Sequence, residues 1–201
     1  MKGFSVAAVA AMVAVMLAAS PALGAHALTP ERFAALDAVY TAQIPIDRVP
    51  TSASALAAFR RTCEGLHRAD ALLGPLRTLC FDTVRIARAT ALFARCGSRS
   101  GCVREAVGLR RTIPKLIADA RSANRAIDAT VAEPACRLAL RTPAKDLADA
   151  RRLASALRLV ERALKTGSRA DYRRADKRLD ALDDSGISAK QDRARFRNAC
   201  G

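Results

Sequence analysis

The chain has 201 residues, with 34 Lys and Arg against 19 Asp and Glu, and a formal net charge of +15. Apolar residues make up 51% and charged ones 26%, a balance able to bury a core, which excludes wholesale disorder. Aromatics are 4% and Trp is absent, so the core falls to Leu, Ala, Val and Ile, a composition that favours helices over a sandwich or barrel.

Met1 and Lys2 lead into an uncharged stretch with an Ala- and Val-rich centre from Val6 to Ala19. One positive charge, an apolar run and a small-residue end predict a secretory signal peptide over residues 1–27, cut after Gly24 or Ala27. An uncleaved membrane anchor is the competing reading, but Pro21 and the mild hydrophobicity of Ala favour cleavage. Residues 28–201 are then expected to form a single helical domain, secreted or held in the periplasm or cell envelope, with no membrane span of its own. Only Lys2 among the charges is lost on cleavage, so the exported part keeps +14.

Thr29-Pro30 opens a short first helix to about Gln43, because Thr caps free amides and Pro suits the first turn. Residues 44–50, Ile-Pro-Ile-Asp-Arg-Val-Pro, read as an extended link. Thr51 or Ser52 caps a second helix carrying Leu56, Phe59, Cys63 and Leu66 at helical spacing. Pro75 opens a third, to about Arg95, apolar over more than half its circumference and so expected at the centre of the bundle. A long helical stretch then runs to about Val131, with a break or kink expected at Pro114. Glu133-Pro134 restarts a short helix. Thr142-Pro143 caps an amphipathic helix with Ala150, Leu153, Leu157, Val160 and Leu164 on one stripe and Arg151, Arg152, Arg158 and Arg162 opposite, stopped by Gly167. Ser168 starts another, and Ser188 with Gln191 forms a capping box for the last. The fold class is all-α: a disulfide-braced bundle of about six to seven helices joined by short loops.

All six cysteines lie in the exported part, an even count that reads as three disulfides. Cys63 and Cys80 stand at matching distances either side of a turn at Asp70 to Pro75. Cys96 and Cys102 flank the loop Gly97-Ser98-Arg99-Ser100-Gly101, which can close to disulfide distance. Cys136 is left for Cys200. No Cys pair has zinc-site spacing and no haem-attachment motif occurs, so neither metal nor cofactor is expected.

No motif announces catalysis. His67, with Glu64 and Asp70 nearby, is the one local set resembling acid–base equipment, and a small secreted hydrolase built around it is the alternative to a binding role. A purely structural or stress-protective envelope protein is a third reading. Of the 34 cations 28 are Arg, a skew that coding bias could produce, although bias does not explain the net excess. On a helical wheel Arg77, Arg85, Arg88 and Arg95 fall in one sector with Phe81 and Leu92, a possible anion-binding strip. Arg169, Arg173 and Lys177 form a second row, beside Arg174 and Arg178, but Asp171, Asp176 and Asp180 interleave with it, so internal pairing is expected there. The sequence therefore favours a non-enzymatic binding or interaction module, meeting an anionic lipid, a wall polymer or an acidic protein. Specific nucleic-acid binding is not expected, since recognition motifs and stacking aromatics are lacking.

Overall fold

The structure is a computed structural model that describes residues 28–42, 52–182 and 189–201. The signal-peptide segment 1–27, the extended link 44–50 and the Ser188 capping box lie outside these. The described residues contain helices and no strand: α1 (Pro30–Thr41), α2 (Ala53–Glu64), α3 (Leu73–Ala94), α4 (Arg99–Thr130), α5 (Pro134–Leu140), α6 (Ala144–Thr166), α7 (Arg169–Asp180) and α8 (Ala189–Cys200). None is long and apolar enough to cross a membrane.

Capping decides where most helices begin. Thr29, Ser52, Ser98 and Ser168 each accept from the N–H three residues on, satisfying an amide that the first turn leaves free. Glu133 does the same for Ala135 N–H ahead of α5. Two starts depart from expectation. α3 opens at Leu73 rather than Pro75, because the Asp70 carboxylate accepts from both Leu72 and Leu73 N–H at 2.8 Å and so starts the turn two residues early. α6 has Pro143 at its cap with no side-chain hydrogen bond; Thr142 is instead held through its backbone, its N–H donating to Asn124 Oδ1 and its carbonyl accepting from Asn124 Nδ2. Gly167 ends α6 at φ 76°, a left-handed conformation that glycine adopts without steric cost.

Consecutive long helices pack as antiparallel neighbours, α3 on α4, α4 on α6 and α6 on α7. Two links across α4 and α6 fix their direction: Arg110, early in α4, meets Glu161, late in α6, while Asn124 holds Thr142 at the opposite ends. The centre of the bundle is therefore α4 with α6, not α3. The reason lies in side-chain size: α4 buries Ala106, Leu109, Ile113, Leu116, Ala120, Ala123 and Ile127 in one stripe, and its alanines let neighbouring helices approach closely. Pro114 does not end α4, which is helical from Arg99 to Thr130. Its ring lies on the exposed side, while buried Ile113 and Leu116 hold both sides of the site.

The chain ends close the bundle. Phe196 of α8 is fully buried and stacks between Phe33 and Tyr40 of α1, with ring centroids 5.1 and 4.5 Å away. Asp37 of α1 binds Arg197 and Arg193 of α8. The three bridges are those expected from the sequence. Cys63–Cys80 joins α2 to α3, Cys96–Cys102 closes the α3–α4 loop, and Cys136–Cys200 ties α8 to α5, with Cα separations of 5.7, 5.1 and 4.8 Å.

Candidate anion-binding surface

The strip of Arg77, Arg85, Arg88 and Arg95 does not act as one unit, because α3 carries it past different neighbours. Arg77 is half-buried and its guanidinium lies 4.9 Å from the Phe81 ring centroid, a cation–π contact within its own helix. Arg85 donates to the buried carboxylate of Asp82 at 2.6 Å. Asp82 is only 3% exposed and burial, with Asp119 beside it, pushes its pKa up to about 6; Lys115 of α4 bridges the two carboxylates. Arg85 is thus tied to an interior acid.

Arg88 and Arg95 are different. They stand about one and three turns beyond Arg85, with Arg95 at the C-cap of α3, on the side facing α2, and line a groove of about 380 Å³ between the two helices. Its floor is apolar, from Ala53, Leu56 and Ala57 of α2 and Val84, Ala91 and Leu92 of α3. Leu92 is 50% exposed. Arg60 completes the rim and is paired with Glu64 at 3.0 Å, whereas neither Arg88 nor Arg95 has a carboxylate partner among the described residues. Cys63–Cys80 holds the two walls together at the far end.

On α7 the expected internal pairing is mostly absent. Asp171 is buried and reaches Arg174 only at 3.7 Å, while Arg169, Arg173 and Lys177 have no ion-pair partner among the described residues. Asp171 lies buried because it falls in register with Ala175 and Leu179, on the apolar side of α7. Beside the row, Arg178 donates to Ser155 of α6 at 2.6 Å, and Arg152, Arg174, Lys177 and Arg178 line a second basic hollow between these helices.

His67 is exposed in the α2–α3 connection. The carboxylates near it in sequence are occupied elsewhere: Glu64 with Arg60, and Asp70 with Arg32 and the start of α3. No dyad forms around it. Among the described residues no group of three or more His, Cys, Asp or Glu is placed to hold a metal ion.

Sequence reasoning missed the buried acids: Asp82, Asp146, Asp149, Asp171 and Asp192 are all under one-tenth exposed. Their signal was present, since Asp82 lies on the stripe of Leu79 and Ile86, and Asp192 on that of Phe196 and Ala199, at helical spacing. No protein-family model, no curated protein and no solved structure matches this chain.

Proposed function

We propose that this is an exported, non-enzymatic binding protein that attaches to an anionic surface of the cell envelope. The observation that supports it is the α2/α3 groove, where Arg88 and Arg95, with no carboxylate partner among the described residues, flank an apolar floor containing half-exposed Leu92. That combination suits an interface, because the guanidinium heads meet phosphate or carboxylate while the apolar floor leaves water. The net positive charge draws the chain to such a surface over roughly a Debye length, about 10 Å at 0.1 M salt. Export is consistent with three disulfides, which persist in oxidising compartments.

The test is co-sedimentation with vesicles of phosphatidylglycerol and phosphatidylcholine against phosphatidylcholine alone, at about 0.05 M and about 0.5 M salt. Retention is expected on the anionic vesicles only, falling steeply at the higher salt. At roughly 1 kcal/mol per basic residue near the surface, Arg88→Gln with Arg95→Gln should weaken retention roughly thirtyfold. Retention independent of salt, or equal on both vesicles, overturns the proposal.

A further inference from the structure

We infer that the chain also has a discrete site for a phosphomonoester, in the hollow where the starts of α4 and α7 meet. This site is separate from the α2/α3 groove and does not depend on it. The hollow encloses about 800 Å³ between the Cys96–Cys102 loop and the Gly167–Ser168 turn, the size range of small-molecule pockets, roughly 300–1,000 Å³. Three guanidinium groups line it, those of Arg99, Arg169 and Arg173, and none has a carboxylate partner among the described residues.

The donors come from two helices. Arg99, the first residue of α4, crosses to the last turn of α6, where its Nε donates to the Leu164 carbonyl; its Nη2 atom would lie 3.4 Å from a Cβ at Gly167. That anchor leaves its Nη groups to the hollow. Arg169 and Arg173 stand one turn apart on α7 and reach in from the second side. Ser98 and Ser168 cap the two helices by accepting from Gly101 and Asp171 N–H. The N–H groups of Arg99, Ser100, Arg169 and Ala170 therefore have no intrahelical acceptor, and they add partial positive charge to the same corner.

Donors converging from two helices match a tetrahedral anion better than a carboxylate. A carboxylate presents two oxygens in one plane and is satisfied by a single guanidinium fork, whereas a phosphate dianion offers oxygens in three directions. The hollow is far larger than one phosphate. Its other walls are Ala163, Leu164, the Cys96–Cys102 bridge and the Tyr172 ring, which would face the organic part of an ester. Asp176 is the one acid in the lining; it opposes an anion but is outnumbered three to one by arginines. Both a soluble phosphate ester and the headgroup of a phosphatidic acid present this chemistry.

Isothermal titration of the oxidised full chain with glycerol 3-phosphate, dioctanoyl phosphatidic acid and acetate tests the site. Saturable one-site binding of either phosphate, and none of acetate, is expected; tighter binding of the lipid assigns a headgroup source, tighter binding of glycerol 3-phosphate a soluble one. Arg169→Gln with Arg173→Gln should lower the affinity roughly tenfold or more. Arg88→Gln with Arg95→Gln carries the same net charge and should leave it within about twofold, since these residues lie outside the site. Circular dichroism confirms that both exposed-arginine variants fold. No saturable phosphate binding, equal binding of acetate, or equal loss in the two variants overturns the assignment. Absent phosphate binding with vesicle retention intact refutes this site alone; lost vesicle retention with phosphate binding intact refutes only the envelope role.

Discussion

Raising the pH from about 5 to about 8 should destabilise this fold, and the cause is a pair of interior aspartates. Asp192 of α8 is fully inaccessible and neither of its carboxylate oxygens has a hydrogen-bond partner among the described residues; Asp146 of α6 is 5% exposed, with Oδ2 likewise unpartnered among them. Burial is the main cause that pushes each pKa up to about 7, and at Asp192 the charge of Asp146 acts in the same direction. Asp149 adds to the effect at Asp146 while Lys145 opposes it, and Arg195 opposes it at Asp192. Tyr40 faces the same acid and is itself pushed up, first by burial and then by Asp192. The folded chain thus binds protons at these sites that the unfolded chain has released. The stability linked to them is fully present below pH 3.8 and is lost as the pH rises through about 7. A shift from 3.8 to about 7 corresponds to about 4 kcal/mol for one such group, of which about 3 kcal/mol is lost between pH 5 and pH 8. For a chain of this size that is a fall in Tm of roughly 6–12 °C per independent group. Asp82, raised to about 6, acts in the same direction. Asp37, held low chiefly by its hydrogen bond to Arg197, and Glu161, held low chiefly by Lys165, act in the opposite sense. Their contribution is lost only on acidification below the usual carboxylate range, so neither produces a slope above pH 5. Urea unfolding across this pH range measures the slope, and Asp192→Asn, which mimics the protonated acid, should remove about half of it and exceed the native chain in stability at pH 8. Native stability that is flat or rising from pH 5 to pH 8 would refute the reasoning.

Two further outcomes concern the scaffold. By loop closure, removing Cys136–Cys200 with paired alanines should cost about 4 kcal/mol in urea unfolding and removing Cys96–Cys102 about 2 kcal/mol, because the first spans 64 residues and the second six; equal losses would contradict this ordering. Two glycines should respond in opposite directions. A Cβ at Gly74 would sit 2.5 Å from the Arg68 carbonyl oxygen, so Gly74→Ala should destabilise by roughly 1–3 kcal/mol. Gly108 lies exposed inside α4 with nothing within 4 Å of its Cβ position, so Gly108→Ala should stabilise by roughly 0.5–1 kcal/mol. Thermal unfolding of the two variants side by side decides the point.

The helices and bridges were legible because their determinants are local. Ser-, Thr- and Pro-based starts, the left-handed Gly167 and the short loop between Cys96 and Cys102 each act within a few residues. What the sequence concealed depends on neighbours. The third helix has the larger apolar circumference, yet α4 occupies the centre, because Ala106, Ala120 and Ala123 count little on a hydropathy scale and much in close packing. The arginine strip divides for the same reason: a helical wheel places Arg85 beside Arg88 but does not show that Asp82 and Lys115 stand against one and the α2 groove against the other. The Arg169, Arg173 and Arg99 group was invisible as a unit, since about 70 residues separate its members and only the meeting of two loops assembles it.

On the proposed reading, the disulfides have a role beyond general stability. Cys63–Cys80 joins the two walls of the α2/α3 groove, and Cys96–Cys102 is itself part of the lining of the α4/α7 hollow. Neither bridge crosses the α4–α6 interior, where Leu109, Ile113, Ile127, Leu157 and Val160 are almost fully buried without covalent help. The apolar centre and the cross-linked margins therefore separate two tasks. Burial in the centre drives folding, while the bridges restrict the exposed helices and loops that carry the unpartnered arginines, which have few buried contacts of their own. Restriction matters most at such margins, because an arginine side chain loses substantial rotamer freedom on meeting an anion, and a fixed backbone removes the further cost of ordering the loop. Breaking Cys96–Cys102 should accordingly weaken phosphate binding by a larger factor than it changes the helical content, and the two can be read on the same sample.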